Sequence, residues 1–420
     1  MDFLPNLQSA LGLIAFPVIA LLFSKGPKKL NFRLLFVAVV LQIVLALIFL
    51  KVPFFQNIFK LLNEAVLALQ AATNSGTSFL FGYIGGGPAP FDVTKPENSF
   101  VLAFQAFPLI IVIGALTAML SYWRVLPFII EGLAKLFTRT LNIGGAVALS
   151  GAANIFIGMV EAPLFIRNSI KKLSYSELFM VMTLGMSTVA GTVLVLYATF
   201  LNTVISNAVG HILTASIMSV PAAVLISLTM VPQQDNPTSS DAEVAFGYSG
   251  SMDAITQGAV SAMQMMLAIL ALIVTFIALV TLTNSALGLL PDVFGSPLSL
   301  ERVLGWIMAP ACWLMGIPWA EATSAGTLMG IKTVFNELLA FIQQSQLDED
   351  TLSARSDLII SYALCGFANF GSLGILIGGL SAMAPERRGE ITQLGLLSIV
   401  SGTLATCMTA SVIGFLTFAN

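Results

Sequence analysis

The sequence predicts an all-α polytopic membrane protein with eight transmembrane helices, two re-entrant hairpins in inverted repeats, and additional interfacial helices. Composition is the first reason: 57% of the 420 residues are hydrophobic and only 9% are charged, whereas an average soluble domain has about 25% charged residues. Mean hydropathy is +0.93. Apolar stretches of about 20 residues, the length that crosses a hydrocarbon core about 30 Å thick, recur along the chain.

Eight such stretches are long enough to be spans. The first should remain uncleaved, because basic residues follow its apolar run instead of preceding it. Two amphipathic stretches, 54–72 and 126–140, are predicted to be interfacial helices. The predicted spans are 8–24, 32–51, 100–121, 176–200, 208–231, 264–288, 356–382 and 392–418.

Basic residues cluster in three of the connecting segments, after the first, third and seventh spans. Cytoplasmic loops collect Lys and Arg, so these segments are predicted to be cytoplasmic. That orientation places both termini outside and the polar linker at 233–250 inside. The clustered residues are Lys25, Lys28, Lys29, Arg33, Arg124, Lys135, Arg139, Arg167, Lys171, Lys172, Arg387 and Arg388.

Two further apolar stretches, 143–170 and 300–346, contain Gly, Pro and carboxylates and must return to the side from which they start. They are predicted to be re-entrant hairpins, since irregular backbone at membrane depth must be buried or line a cavity. Each precedes an interrupted span, with GMSTVAGT at 185–192 and CGFANFGS at 365–372. Inverted repeats with broken helices indicate a transporter site near the midplane. The alternative is that the small residues only allow close helix packing.

Ionisable residues inside the hairpins are the strongest functional candidates, because a charge at mid-helix costs about 2.5–3.5 kcal/mol. Glu161 and Glu337 are candidate binding residues, with an ion pair or a capping role as the alternative. Glu321 and Lys332 are more simply structural, since they could satisfy one another or the backbone ends of the hairpin. Neutral polar candidates are Asn154, Asn336, Asn369, Ser187, Thr188 and Ser372.

Several other function classes are disfavoured. No HExxH, Walker A or GxSxG motif is present, and the single histidine, His211, is predicted to be an isolated interfacial residue. A net charge of −3 gives no basic field for nucleic acid. The three cysteines are predicted to be packed thiols, and no organic cofactor is expected. Because no arginine lies at a hairpin tip, a neutral, polyhydroxylated solute is favoured over an anion. The carboxylates at the hairpin tips favour a carrier that occludes its solute over a passive channel.

Six motifs in order resemble those of the concentrative nucleoside transporters, specifically the bacterial eight-span branch. The resemblance covers nearly the whole chain. It implies a homotrimer in the lipid bilayer, with a scaffold (1–51, 100–121 and 264–288) around a mobile transport region (54–98, 143–231 and 300–420). The motifs are GTSFLFG at 76–82, AANIFIGMVEAP at 152–163, TVAG at 188–191, PWAEAT at 318–323, KTVFNE at 332–337 and CGFANFGS at 365–372.

The resemblance also implies where a nucleoside and its coupling ion would bind. Ribose hydroxyls would bind Glu337, Asn369 and Ser372, with Phe367 packed against the substrate. The base would face the first hairpin tip and the fourth span, and a sodium ion would bind at the same tip. The base set is Gly158, Met159, Val160, Glu161 and Val193, and the sodium set is Asn154, the Ile157 carbonyl, Thr188 and the Val189 carbonyl.

One motif departs from the family pattern. The first hairpin tip usually reads GQTEAP, whereas here it is GMVEAP, and neither Met159 nor Val160 provides the hydrogen bonds of the usual amide and hydroxyl. The function implied is a sodium-coupled nucleoside symporter that imports nucleosides across a bacterial inner membrane by an elevator-like movement. The alternatives are a proton-coupled nucleoside or nucleobase carrier, with Glu161 or Glu337 carrying the proton, and less readily a passive channel.

Overall fold

The chain is helical throughout the part that the structure describes. This computed structural model describes residues 4–27, 29–95, 99–159, 161–233, 238, 247–293, 295–348 and 350–417. Within these ranges there is no strand, only an isolated bridge between Val293 and Ser296. The predicted all-α class is therefore confirmed. Val160, Lys28, most of the predicted linker and the end of the eighth predicted span lie outside the described residues.

The helices vary from single turns to very long rods, and several end within the hydrophobic interior. In chain order the described α-helices are α1 (Leu4–Leu22), α2 (Phe32–Lys51), α3 (Pro53–Phe81), α4 (Leu102–Gln105), α5 (Pro108–Tyr122), α6 (Val125–Leu141), α7 (Gly145–Asn154), α8 (Arg167–Ile170), α9 (Tyr175–Ser187), α10 (Gly191–Leu201), α11 (Ala208–Met230), α12 (Ser251–Leu287), α13 (Leu300–Leu314), α14 (Trp319–Val334), α15 (Glu337–Ser345), α16 (Ala354–Leu364), α17 (Phe370–Met383) and α18 (Arg388–Leu416).

Seven helical stretches among the described residues are long and apolar enough to cross a membrane. They correspond to seven of the eight predicted spans. The remaining one, the predicted seventh span at 356–382, consists of two short helices, α16 and α17, separated by residues 365–369. The sixth span begins at Ser251, well before the predicted start at 264. Asp253 and Gln257 lower the hydropathy of that first part, and for this reason the helix start was not recognisable as apolar.

The two predicted interfacial stretches are both helical. The second matches α6 closely, whereas the first continues through α3 to Phe81. Thr73 and Ser75 donate to the carbonyls of Leu69 and Ala71, so these hydroxyls are satisfied within the helix and do not end it. The helix ends instead at Gly82, whose positive φ of 61° suits glycine.

The packing of the helices repeats along the chain, with α5–α11 corresponding to α12–α18. In the first unit α6 packs on α7 and α9 on α11; in the second, α13 packs on α14 and α16 on α18. The units join through two pairs of equivalent helices, α5 with α12 and α11 with α18. Ser219 and Thr409 meet across the second pair, with their hydroxyl oxygens 3.2 Å apart. An internal repeat is thus present in the tertiary contacts.

Both predicted hairpins contain tips; the first keeps its predicted limits, whereas the second begins later than predicted. In the first, α7 ends at Asn154 and the returning limb is a 3-10 turn at Ala162–Ile166 followed by α8. In the second, the tip is at 335–336 between α14 and α15, so residues 300–314 form a separate helix, α13, and not a hairpin limb. Glycines explain its close packing on α14: a Cβ on Gly326 would lie 2.4 Å from the Gly305 carbonyl oxygen.

A single arginine joins four parts of the bundle at one end. The Arg355 guanidinium of α16 donates to the carbonyls of Pro5, Gly316 and Gly414, and its Nε donates to Thr417 at 3.0 Å. These carbonyls belong to α1, the α13–α14 turn, α18 and its C-terminal flank. The network therefore holds α1 against the repeated core.

Replacing this arginine should destabilise the fold measurably. We expect Arg355→Gln to lower the free energy of unfolding by about 2–4 kcal/mol, because several carbonyls lose a charged donor. Thermal unfolding of the detergent-solubilised protein would measure the change. Arg388→Gln, at an exposed position, is the matched control and should leave the transition unchanged. An equal shift in both variants would contradict a specific role for the network.

Candidate substrate site

Two helix breaks and two hairpin tips meet around one cavity of about 430 Å³. The breaks lie between α9 and α10 and between α16 and α17. Every described residue of the predicted substrate set contributes to the lining, while Val160 lies outside the described residues. The predicted residues on the wall are Gly158, Met159, Glu161, Val193, Glu337, Phe367, Asn369 and Ser372.

The first hairpin tip is fitted against the start of α10. The Gly191 amide donates to the Phe156 carbonyl at 3.1 Å, and a Cβ on Gly191 would lie only 2.6 Å from that oxygen. Gly158 has a φ of +120°, which favours glycine. A Cβ there would lie 3.0 Å from Oε2 of Glu161, so the carboxylate is close to the tip backbone. Glycines thus allow the tip and the break to approach.

Glu337 is the buried carboxylate on the opposite wall. It begins α15, where the N-terminal end of the helix dipole favours a negative charge. Tyr197 donates its hydroxyl hydrogen to Oε1, and the Asn369 amide donates to Oε2 at 2.9 Å. The residue is only 3% exposed. Each carboxylate oxygen retains acceptor capacity, so Glu337 can accept hydrogen bonds from solute hydroxyls.

Asn369 connects this carboxylate to the second helix break. Its side chain caps α17, with Oδ1 accepting from the Ser372 amide at 2.7 Å. The two ends of the Asn369 amide are therefore held in a fixed orientation, one by Glu337 and one by the helix. Phe367 and Ser372, both 8% exposed, come before and after it in the chain and also line the cavity.

The predicted ion residues lie where α7 ends beside the first break. Asn154 donates to the Leu184 carbonyl at 2.9 Å and to the Thr188 hydroxyl at 2.5 Å, whereas its Oδ1 has no hydrogen-bond donor. The C-terminal ends of α7 and α9, which carry partial negative charge, meet there. An oxygen atom that accepts no hydrogen bond from the protein, such as Asn154 Oδ1 here, can serve as a ligand to a hard cation such as sodium.

Three further residues have surroundings that differ from those predicted. Glu321 and Lys332 do not contact each other: Glu321 accepts hydrogen bonds from the amide and hydroxyl of Ser353, while Lys332 binds backbone and hydroxyl oxygens deeper in the protein. His211 is not isolated, because its Nδ1 lies 2.9 Å from the Tyr362 hydroxyl. Chain spacing could not reveal either contact, since the partners lie on distant helices. The three cysteines are buried free thiols, as predicted.

The cavity also contains residues that the sequence did not single out. Tyr197 lies one turn after Val193 on α10, and Ser261 and Gln264 come from α12, a span assigned to the scaffold. Their spacing, three residues apart where the strongly apolar part of α12 begins, was the available signal. The α12 side chains therefore enclose the cavity together with the hairpin tips and the helix breaks. They are candidates for substrate contact.

The fold and the cavity between broken helices are those of a multi-pass helical membrane transporter. Profiles described as "Na+ dependent nucleoside transporter C-terminus", "Na+ dependent nucleoside transporter N-terminus" and "Nucleoside recognition" match residues 211–414, 11–84 and 103–204. The chain belongs to the concentrative nucleoside transporter family.

Similar proteins cover almost the full length. Uncharacterized transporter YutK of Bacillus subtilis is 33% identical over 97% of this chain and 98% of its own length. Nucleoside permease NupC of Helicobacter pylori is 32% identical over 97% of both chains. The structure of CNTnw in an inward-facing substrate-bound state superimposes with a TM-score of 0.86, at 34% identity and 98% coverage of each chain.

Proposed function

We propose that this protein is a sodium-coupled nucleoside symporter that imports nucleosides across the bacterial inner membrane. The observation that carries the proposal is the buried Glu337 carboxylate, held by Tyr197 and Asn369 on the wall of a cavity of about 430 Å³. A buried acceptor of this kind suits neighbouring sugar hydroxyls. The remaining wall is largely apolar and suits a base. Sodium dependence is supported by the family description.

In this proposal the ribose binds at Glu337, Asn369 and Ser372, and Phe367 packs against the solute. The base lies toward Gly158 and the other tip residues and toward Val193. Gln264 of α12 adds an amide that can donate or accept a hydrogen bond. A solute lacking the sugar hydroxyls would leave buried polar groups unpaired and would bind poorly.

Sodium would couple to the solute through the first hairpin tip. Asn154 ends α7 and already contacts the first break, while Gly158 and Glu161 follow on the tip that lines the cavity. A cation bound to Asn154, Thr188 and the carbonyls of Ile157 and Val189 would hold the tip against α10. Binding of the ion would therefore prepare the base end of the site, which makes the affinities for ion and solute mutually dependent.

Movement is proposed to follow an elevator-like mechanism within a homotrimer, with both termini outside. The cavity lies against α12, so a moving region could carry the solute along this helix. The contacts of α1 suggest a change to the division expected from the sequence: Asn6 donates to the Phe415 carbonyl at 2.8 Å and Ser9 to the Met315 carbonyl at 2.9 Å. We therefore place α1 with the transport region.

A counterflow assay tests the proposed function directly. Purified protein in proteoliposomes preloaded with uridine should accumulate radiolabelled uridine, and an inward sodium gradient should stimulate net uptake. Uptake driven by a pH gradient without sodium would favour the proton-coupled carrier. Flux that lacks counterflow would indicate a channel, and free uracil competing as well as uridine would contradict the ribose site.

Base selectivity should be weak because Met159 presents a thioether at the hairpin tip, and apolar contacts discriminate poorly between similar solutes. We expect adenosine, cytidine and thymidine to compete with labelled uridine with affinities within about tenfold, or ~1.4 kcal/mol. The double change Met159→Gln and Val160→Thr should sharpen the preference toward pyrimidines. A wild type that excludes purines, or an unchanged preference in the double variant, would show that the base is recognised elsewhere.

A further inference from the structure

Lys332 is a fully buried cation that the proposed transport cycle does not use. Its ammonium group donates to the Ala363 carbonyl at 2.7 Å and to the Thr406 hydroxyl oxygen at 3.2 Å. Thr406 uses its own hydrogen to bond the Thr403 carbonyl at 3.0 Å, so its oxygen acts as an acceptor toward the lysine. Both contacts therefore suit a protonated, positively charged side chain.

No carboxylate forms an ion pair with Lys332 in the described part of the chain, where the ion pairs are Lys171–Glu386 and Arg387–Glu390. The buried Glu337 carboxylate attracts the ammonium without forming a direct ion pair with it. A buried charge that is not directly paired remains costly. Two helix ends compensate for it: α14 ends at Val334 and α16 at Leu364, next to the Ala363 carbonyl. Each C-terminal end carries about half a negative charge. The ammonium thus lies where two negative helix ends meet.

The first repeat has the same junction without a lysine. There α7, the first limb of the first hairpin, ends at Asn154 and contacts α9, the first half of a broken helix, at the Leu184 carbonyl. In the second repeat α14 is the first limb and α16 the first half-helix. The two places are equivalent in the repeat. One has an asparagine with an unpartnered oxygen, and the other has an ammonium group.

Hydroxyl groups on the long helices support this correspondence. Ser216 of α11 accepts a hydrogen bond from the Val189 amide at 3.2 Å, and Thr406 of α18 accepts one from Lys332. Each lies three residues before Ser219 or Thr409, the pair that meets where α11 packs on α18. Contact between equivalent residues is expected where two units are related by a two-fold axis. Ser216 and Thr406 are therefore equivalent by position and reach equivalent breaks.

We propose that the Lys332 ammonium is a built-in cation that occupies, in the second repeat, the position equivalent to the sodium site of the first. Because this charge is covalently attached to the chain, the C-terminal ends of α14 and α16 always have a cation beside them. The second half then needs no ion from solution, and a cycle couples to a single sodium at Asn154. Lys332 also ties α14 to α16, so it acts as a positioning residue for Glu337 and Asn369. The sodium comparison depends on the proposed function above.

Sodium stoichiometry separates this role from a merely structural one. Sodium-dependent thermal stabilisation of the purified protein, measured against choline without substrate, should follow a single-site isotherm. In proteoliposomes the wild type should move about one labelled sodium per uridine, whereas Lys332→Gln, which offers a neutral oxygen as Asn154 does, should move about two and bind sodium with a Hill coefficient above one. Lys332→Arg keeps the charge and should retain single-site behaviour.

The control Lys135→Gln removes an exposed lysine and should change neither measurement. A wild-type ratio of about two sodium ions per uridine, or folded Lys332→Gln protein with a single-site isotherm, would overturn the proposal. If Lys332→Gln does not fold, the wild-type ratio still tests the proposal, because about two sodium ions per uridine would overturn it. Absence of uridine transport by the wild type would defeat the proposed function instead, and the substrate-free isotherms would still test the lysine.

Discussion

Glu337→Gln should reduce uridine uptake at low substrate concentration by about 30-fold, or about 2 kcal/mol. The change preserves size but removes the negative charge, and hydrogen bonds to a charged acceptor are roughly twice as strong as neutral ones. The loss should appear as a higher KM for ribonucleosides, because the carboxylate is proposed to accept from solute hydroxyls. Initial uptake rates in proteoliposomes over a uridine concentration series would measure it.

Glu321→Gln is the matched control for this experiment. It makes the same chemical change in the same hairpin, but Glu321 accepts its hydrogen bonds from Ser353 and is absent from the cavity wall. Uptake should remain near wild type. Normal ribonucleoside transport by Glu337→Gln, with expression and thermal unfolding comparable to the wild type, would show that the ribose does not bind there.

The double change Asn154→Leu and Thr188→Val should abolish the sodium stimulation of uptake. Both substitutions replace oxygen-bearing side chains by apolar groups of similar bulk, so a hard cation loses its side-chain ligands while the packing at the junction is largely preserved. Uptake with and without a sodium gradient should become equal. The sodium-dependent thermal stabilisation should disappear together with it.

Ser187→Ala is the control for the ion site. Ser187 donates to the same Leu184 carbonyl at 3.3 Å but does not belong to the proposed ligand set. Its removal should leave sodium stimulation intact. Unchanged sodium dependence in the Asn154 and Thr188 double variant would exclude this junction as the ion site, and equal losses in the Ser187 variant would point to general damage at the first break.

The lining of the candidate site was largely predictable because polar residues and glycines are visible exceptions in an apolar sequence. Glu337 and Asn369 stand out for their polarity, and the tip and break motifs stand out for their glycines. Tyr197 and Gln264 were harder to find, since a tyrosine or a glutamine facing a cavity looks the same in sequence as one facing a lipid headgroup. Their place on the wall depends on how α10 and α12 are rotated, which neighbouring helices decide.

The boundaries of the helices likewise depended partly on the sequence and partly on packing between helices. Residues 300–346 were predicted as one hairpin because their mixture of apolar and small residues is continuous, yet the chain forms α13 and then a hairpin at 319–345. The glycines Gly305 and Gly326 were visible in the sequence, but only the fold shows that they bring α13 and α14 into backbone contact. Hydropathy measures how apolar a segment is and carries no information about its packing partner.

The sequence by itself determined that the protein lies in a lipid bilayer, that it is helical, and approximately where its spans and their polar interruptions are. Each of these depends on local composition and on the length needed to cross a bilayer. Only the tertiary structure decided which interruptions meet. It placed Asn154 beside Thr188, Glu337 beside Tyr197, and the Lys332 ammonium at the end of α16. These contacts join residues far apart in the chain, and their formation depends on the packing of two repeats that no local pattern specifies.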